Sequence, residues 1–163
     1  MKKPKIIGIV LAALSVACIA AFGVLYVAGF RVYGVPGVSM QPTIQKDERV
    51  FGRLSENYRE HIQRFDLVIF HAPTKEPEIY AKRVIGLPGE HITIGASGVW
   101  INGQLLSLPA SVSMTGLGVK PCDFAIPDDA VFVMGDYTLS SFDSRYYGPV
   151  LKRNVIGRLF FKR

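Results

Sequence analysis

Positions 6–30, IIGIVLAALSVACIAAFGVLYVAGF, carry no charged side chain, and no other feature restricts the fold of this chain so strongly. The hydrocarbon core of a bilayer is about 30 Å thick and takes roughly 20 helical residues to cross, so the run can span with some tilt. Lys2, Lys3 and Lys5 precede it, and Arg31 flanks its far end. That asymmetry predicts an N-terminus held inside and a remainder held outside. A cleavable leader has a shorter apolar core, about 7 to 15 residues. The segment LSVAC ending at Cys18 has a lipoprotein-like look, but apolar residues continue well past it. The expected organisation is a basic cytoplasmic N-terminus at 1–5, a retained transmembrane anchor at 6–30 and one outer domain at 31–163.

The 163 residues leave room for a single such domain. Of the formal charge of +6, three lysines lie before the apolar run, so the outer domain carries +3. Its basic residues are scattered until Lys152, Arg153, Arg158, Lys162 and Arg163. No basic stripe interleaved with aromatics, of the kind that follows phosphates, is present, which argues against nucleic acid as a partner. The excess suits the anionic headgroups of a lipid bilayer, or a solvated tail. Cys18 lies in the anchor and Cys122 in the outer domain, so the two cysteines build neither a disulfide framework nor a Cys-based zinc site. His61, His71 and His91 lack metal-ligand spacing, and a metalloprotease has no support.

The outer domain reads as mainly β. Apolar, β-branched runs recur at Arg49–Leu54, Asp66–His71, Ile79–Gly86, His91–Ile94, Val99–Ile101, Ala130–Met134 and Val155–Phe161. Asn102-Gly103 is a hairpin signal, and GASG at 95–98 turns the chain before Val99. Residues 55–65 are polar enough for a helical or irregular excursion, and 107–121 read as a loop or short insertion. Many short strands punctuated by turns predict a coiled sheet or barrel-like domain behind a single N-terminal transmembrane helix.

A serine hydroxyl becomes a nucleophile only with a base within hydrogen-bond reach, either His or a Lys kept partly neutral by burial. Three segments have the residues for this. The first is Gly37-Val38-Ser39-Met40-Gln41-Pro42-Thr43-Ile44, a turn that follows the apolar run and whose backbone Pro42 restricts. The second is Tyr80-Ala81-Lys82-Arg83-Val84-Ile85-Gly86-Leu87-Pro88-Gly89-Glu90, in which Lys82 lies among apolar neighbours that would lower its pKa. The third runs from Gly135-Asp136-Tyr137-Thr138 through Ser140-Ser141-Phe142-Asp143-Ser144-Arg145 to Gly148-Pro149-Val150. Taken singly, these read as a turn, an exposed strand lysine and a polar loop with an Asp–Arg surface pair.

Together, in this order behind one span, the three segments resemble the boxes of the bacterial signal peptidase I family, and the likeness covers essentially the whole chain. The resemblance implies that Ser39 is the nucleophile and Lys82 the general base. It places Ser141 beside the lysine as an orienting hydroxyl, with Met40, Pro42, Arg83, Asp143 and Arg145 supporting the site. The chain departs from the family pattern at Glu90, where Asp is usual, and at Tyr137-Thr138, where Asn, often followed by Arg, is usual. Gly37 has no hydroxyl, so a developing oxyanion depends on backbone N–H groups, that of Ser39 foremost. The region between Gly103 and Ala130 leaves little room for the large extra β-domain of longer members.

The resemblance implies a membrane-bound serine endopeptidase that removes signal peptides from exported preproteins. Small residues are expected at positions −1 and −3 before the cut, with no metal or organic cofactor. The expected setting is the bacterial cytoplasmic (inner) membrane, with the catalytic domain on the non-cytoplasmic side. One alternative is a specialised relative acting in conjugative transfer, pilin maturation or the mitochondrial inner membrane. A catalytically dead, membrane-anchored binding domain is a further one, against which the intact Ser39 and Lys82 argue. A Ser–His–Asp enzyme conflicts with Lys at the position of the base. A repressor-type self-cleaving protein would need a DNA-binding motif where this chain has its apolar run.

Overall fold

In the computed structural model, which describes residues 3–74, 78–113, 115, 117 and 120–160, the uncharged run forms one helix, α1 (Lys3–Val27). Its stretch Ile6–Val27 is apolar and long enough to cross a membrane, and none of it is buried against the rest of the chain. The helix ends earlier than position 30. Ala28 and Gly29 turn the chain, and Phe30 already begins strand β1 (Phe30–Val35).

Ten further strands follow among the described residues: β2 (Glu48–Leu54), β3 (Leu67–His71), β4 (Ile79–Gly86), β5 (His91–Gly95), β6 (Gly98–Ile101), β7 (Gln104–Leu105), β8 (Cys122–Ala125), β9 (Ala130–Met134), β10 (Val150–Leu151) and β11 (Val155–Phe160). The strands expected from β-branched runs all form, with ends shifted by a residue or so. The polar stretch after Leu54 becomes a 3-10 helix, Glu56–His61. Asn102 and Gly103 both take positive φ, 51° and 78°, as a two-residue hairpin turn between β6 and β7 requires. Lys2, parts of the 107–121 loop, Phe161, Lys162 and Arg163 lie outside the described residues.

The strands make two sheets. The larger has the order β1-β2-β11-β3-β4-β9-β10 and the smaller β7-β6-β5-β8. Both are open: the larger ends at β1 and β10, so the domain is a pair of sheets rather than a closed barrel. Residue alternation distributes the core over the layers. Leu67 and Ile69 of β3 join Met40, Ile44, Val50 and Leu159 on one face. Val68 and Phe70 join Val84, Val131 and Val133 on the other. Ala130, Phe132 and Met134 of β9 pack against Ile92, Ile94, Val99 and Ile101 of the small sheet. This burial on two faces explains why β3 and β9 read as unbroken apolar runs instead of alternating ones.

Every neighbouring pair in the larger sheet is antiparallel. Counting across β1-β2-β11-β3-β4, strands β1 and β4 therefore point the same way. In a flat sheet four spacings of about 4.8 Å would part them by about 19 Å. Yet residues of both line one cleft, so the sheet is strongly curled and brings the end of β1 towards β4.

Candidate active site

Ser39 stands on the turn that follows β1. Met40 and Ile44, both fully buried, fix that turn to the core, and Ile44 N–H donates to Met40 O at 2.9 Å. The serine backbone is clasped from the other side, where Tyr137 N–H donates to Ser39 O at 3.0 Å. The Ser39 N–H is not taken by a backbone carbonyl among the described residues.

Lys82 sits within β4, opposite Val68 of β3. On its other side, β9 pairs with β4 only from Arg83 onward, so the edge at Ile79–Lys82 is left open. Across that edge Lys82 Nζ and Ser39 Oγ meet at 2.5 Å. Lys82 is 4% exposed. Burial is the largest influence on its ammonium and pushes the pKa down to about 8; Arg145 acts in the same direction, while Asp143 and Asp136 oppose it. An amine with that pKa is partly a free base at neutral pH.

A cleft of about 670 Å³ opens beside this pair. Its walls are the segment Tyr33–Ser39, the segment Glu78–Lys82 that leads into β4, and Ser140 and Phe142, with Ile69 and Leu159 also lining it.

The third segment folds into a buried polar brace. Asp143 and Arg145, 0% and 2% exposed, pair through Arg145 Nε at 2.9 Å and Nη2 at 3.0 Å. Asp143 also accepts from Gly135 N–H at 3.1 Å and from Arg145 N–H at the start of the short helix α2 (Ser144–Tyr147). Arg145 Nη2 reaches Thr138 O at 2.7 Å. The Asp–Arg pair that would pass for a surface contact in the sequence is thus interior. Thr138, at the position of the unusual Tyr137-Thr138 pair, is buried and helps hold the loop, donating from Oγ1 to Ser113 O at 2.5 Å.

Ser141 is the expected site residue that makes no hydrogen bond to the lysine. Its Oγ is buried with no hydrogen-bond partner among the described residues, and Lys82 Nζ bonds Ser39 instead. It nonetheless lies close by. A Cβ built on Gly135 would fall 2.3 Å from Ser141 Oγ and 2.4 Å from Ser39 O, so only glycine fits between the serine turn and this hydroxyl.

Sequence reasoning missed a second brace. Arg83 pairs with Asp136, and Asp136 in turn accepts from Thr43 Oγ1. Thr43 and Asp136 both belong to the quoted segments, which was the available signal; their 93-residue separation hid the contact. Glu90, in place of the family's Asp, pairs with Arg64 Nη2 at 2.5 Å and accepts from Leu87 N–H at 2.7 Å, closing the turn after β4.

Residues 6–162 match the model of a family described as signal peptidase, peptidase S26. The chain belongs to this family. Among curated members, it is 36% identical to signal peptidase I V of Bacillus subtilis, with 80% of this chain and 83% of that protein aligned. It is 34% identical to signal peptidase I of Bacillus caldolyticus, over 89% of this chain and 84% of that one. Mitochondrial inner membrane protease subunit 1 of mouse is 37% identical over 89% of this chain and 75% of its own. Among solved structures, a signal peptidase I from Enterococcus faecalis superposes with a TM-score of 0.53 at 34% identity, covering 61% of this chain and 97% of that one. As a member of the signal peptidase family, the chain is a peptidase with a mainly β domain behind an apolar helix.

Proposed function

We propose that this protein removes signal peptides from exported preproteins with Ser39 as nucleophile and Lys82 as general base. The observation that carries the reading is the 2.5 Å contact between Ser39 Oγ and Lys82 Nζ inside an open cleft. Neutral Lys82 takes the hydroxyl proton as Oγ attacks the scissile carbonyl carbon. The Ser39 N–H donates to the oxyanion. Collapse of the tetrahedral intermediate breaks the C–N bond, and Lys82 returns the proton to the leaving amine. Water then attacks the acyl-enzyme, again giving its proton to Lys82, and Lys82 hands that proton to Ser39 Oγ as the acyl C–O bond breaks, which restores the hydroxyl and the neutral amine. The groups named supply the nucleophile, base and oxyanion donor, so the scheme calls for no cofactor. Ser141 serves as a positioning residue for the neutral amine, and Met40, Pro42, Arg83, Asp143 and Arg145 hold the two halves of the site in register.

Substrate docks as an added strand along the open Ile79–Lys82 edge of β4, a mode in which main-chain hydrogen bonds supply affinity and alternate side chains specificity. In an extended peptide, positions −1 and −3 point to the same side. They face an apolar floor of Val35, Ile69 and Leu159, which suits apolar side chains; that these are small is what the resemblance to the family implies. The α1 helix anchors the domain, the N-terminal lysines stay inside, and the cleft works on the non-cytoplasmic face of the membrane, in the bacterial setting that of the inner membrane. The bacterial signal peptidase I relatives match at much the same identity as the mouse protein, 36% and 34% against 37%, so a dedicated organellar role is not favoured.

The deciding experiment is cleavage of a panel of preproteins in detergent by wild type and Ser39→Ala. Wild type is expected to release the signal peptide and Ser39→Ala to release none. Equal cleavage by both would remove the proposal.

A further inference from the structure

Among the described residues lining the cleft, Glu78 is the single carboxylate. Strand alternation continues from β4 and puts Glu78, Tyr80 and Lys82 on one side. Tyr80 Oη donates to Glu78 Oε2 at 2.7 Å, and the Tyr80 ring centre lies 5.6 Å from Lys82 Nζ. The phenol therefore aims the carboxylate along the same cleft wall that carries the base. Glu78 is exposed, and it has no cationic partner among the ion pairs of the described residues.

Direction follows from topology. Strand β1 starts beside the end of α1 and leads to Ser39, and β4 runs parallel to it towards Lys82. A preprotein whose apolar segment shares the membrane with α1 thus enters at the β1 and β4 starts, passes Glu78, and then reaches Ser39 and Lys82. Four residues of extended strand span about 13 Å, which sets Glu78 beside a substrate residue roughly five positions before the cut.

We infer that Glu78 is a specificity-determining residue, favouring lysine or arginine over aspartate or glutamate four to six positions before the scissile bond. This rests on the cleavage reading above. Partly exposed charge pairs discriminate modestly and are screened by salt, so the expected preference for Lys over Glu in kcat/KM is about 3- to 10-fold at low ionic strength.

The test uses one preprotein with Lys, Ala or Glu placed in turn at −4, −5 and −6, cleaved in detergent by wild type, Glu78→Gln and Glu78→Lys. Wild type should prefer Lys at one or more of these positions, and less so in about 0.5 M salt. Glu78→Gln should bring the Lys-to-Glu ratio towards one, and Glu78→Lys should reverse it. A wild-type ratio near one, or a ratio unchanged in Glu78→Gln, overturns the inference alone. Failure of wild type to cut the Ala version overturns the cleavage reading itself.

Discussion

Arg83 grips Asp136 through both Nε and Nη2, at 2.7 and 2.6 Å, tying the residue next to Lys82 to the loop that carries Ser141. Asp136 is fully buried, and it also accepts from Thr43 on the serine turn. One ion pair thus joins all three segments that surround the Ser39–Lys82 contact. Its placement explains how Ser39 and Lys82, 43 residues apart, are held at hydrogen-bond distance.

Removing one partner from such a pair leaves a buried charge without compensation. Arg83→Ala is therefore expected to destabilise the outer domain by about 3–5 kcal/mol and to lower cleavage along with it. Asp136→Asn keeps the shape and hydrogen-bonding capacity and should cost less. Denaturant midpoints of the two variants check this, and a loss below about 1 kcal/mol for Arg83→Ala would contradict it.

The pH dependence of cleavage follows from the pKa of Lys82, lowered to about 8. Below that value the amine is mostly protonated, so kcat/KM should rise about tenfold per pH unit and level off above about 8 to 9. The apparent pKa belongs to the Ser39–Lys82 pair rather than to either residue alone. Lys82→Arg keeps the charge but cannot deprotonate, and should lose activity by about 10²-fold or more. A Lys82→Arg enzyme near wild-type rate would assign the base to another group.

The same shift has a consequence for stability. Lys82 titrates near 10.5 when unfolded and about 8 when folded, so between these values the unfolded chain binds more protons and stability rises with pH. Below pH 8 the full cost of burying the ammonium is present, up to about 3 kcal/mol. Lys82→Met fills a similar volume without a charge, while Asp143 and Asp136 keep their own arginines. That variant is expected to be more stable than wild type by about 1–3 kcal/mol at pH 7, with the gain gone by about pH 10.5. Urea titrations at the two pH values decide it; an equal gain at both would sever the effect from ionisation.

Gly135 separates Ser39 O from Ser141 Oγ with no space for a methyl group. Gly135→Ala should displace the serine turn and cut kcat by about tenfold or more, as misplacement by about 1 Å can cost up to 10²-fold. Adding Ser141→Gly should not restore it, since the Ser39 carbonyl still blocks the new Cβ. Ser141→Ala alone removes a buried hydroxyl with no partner among the described residues and should cost little stability or even raise it, within about 1 kcal/mol. If the hydroxyl positions Lys82, kcat falls in this variant while KM stays near wild type; unchanged kcat would discard that role.

The apolar run, most strands and the segments carrying Ser39 and Lys82 were legible in the sequence because each rests on local signals. These are an unbroken uncharged stretch, β-branched runs between turn residues, and a turn beside a proline. Strand β1 was not foreseen, since Phe30 still reads as the end of the apolar run and only its register against β2 makes Phe30–Val35 a strand. Gln104–Leu105, Cys122–Ala125 and Val150–Leu151 are too short to carry a periodicity and exist through their pairing partners.

What the amino-acid order determined by itself is the set of chemically able residues and the elements that bear them. Only the tertiary structure decided their relations: the open edge of β4, the interior position of Asp143 and Arg145, the clamp of Arg83 on Asp136 and Thr43, and a Ser141 hydroxyl without a hydrogen-bond partner among the described residues. The physical reason is common to all four. Burial and hydrogen-bond pairing of these groups depend on contacts between residues far apart in sequence, created when the sheet curls and brings β1 to β4.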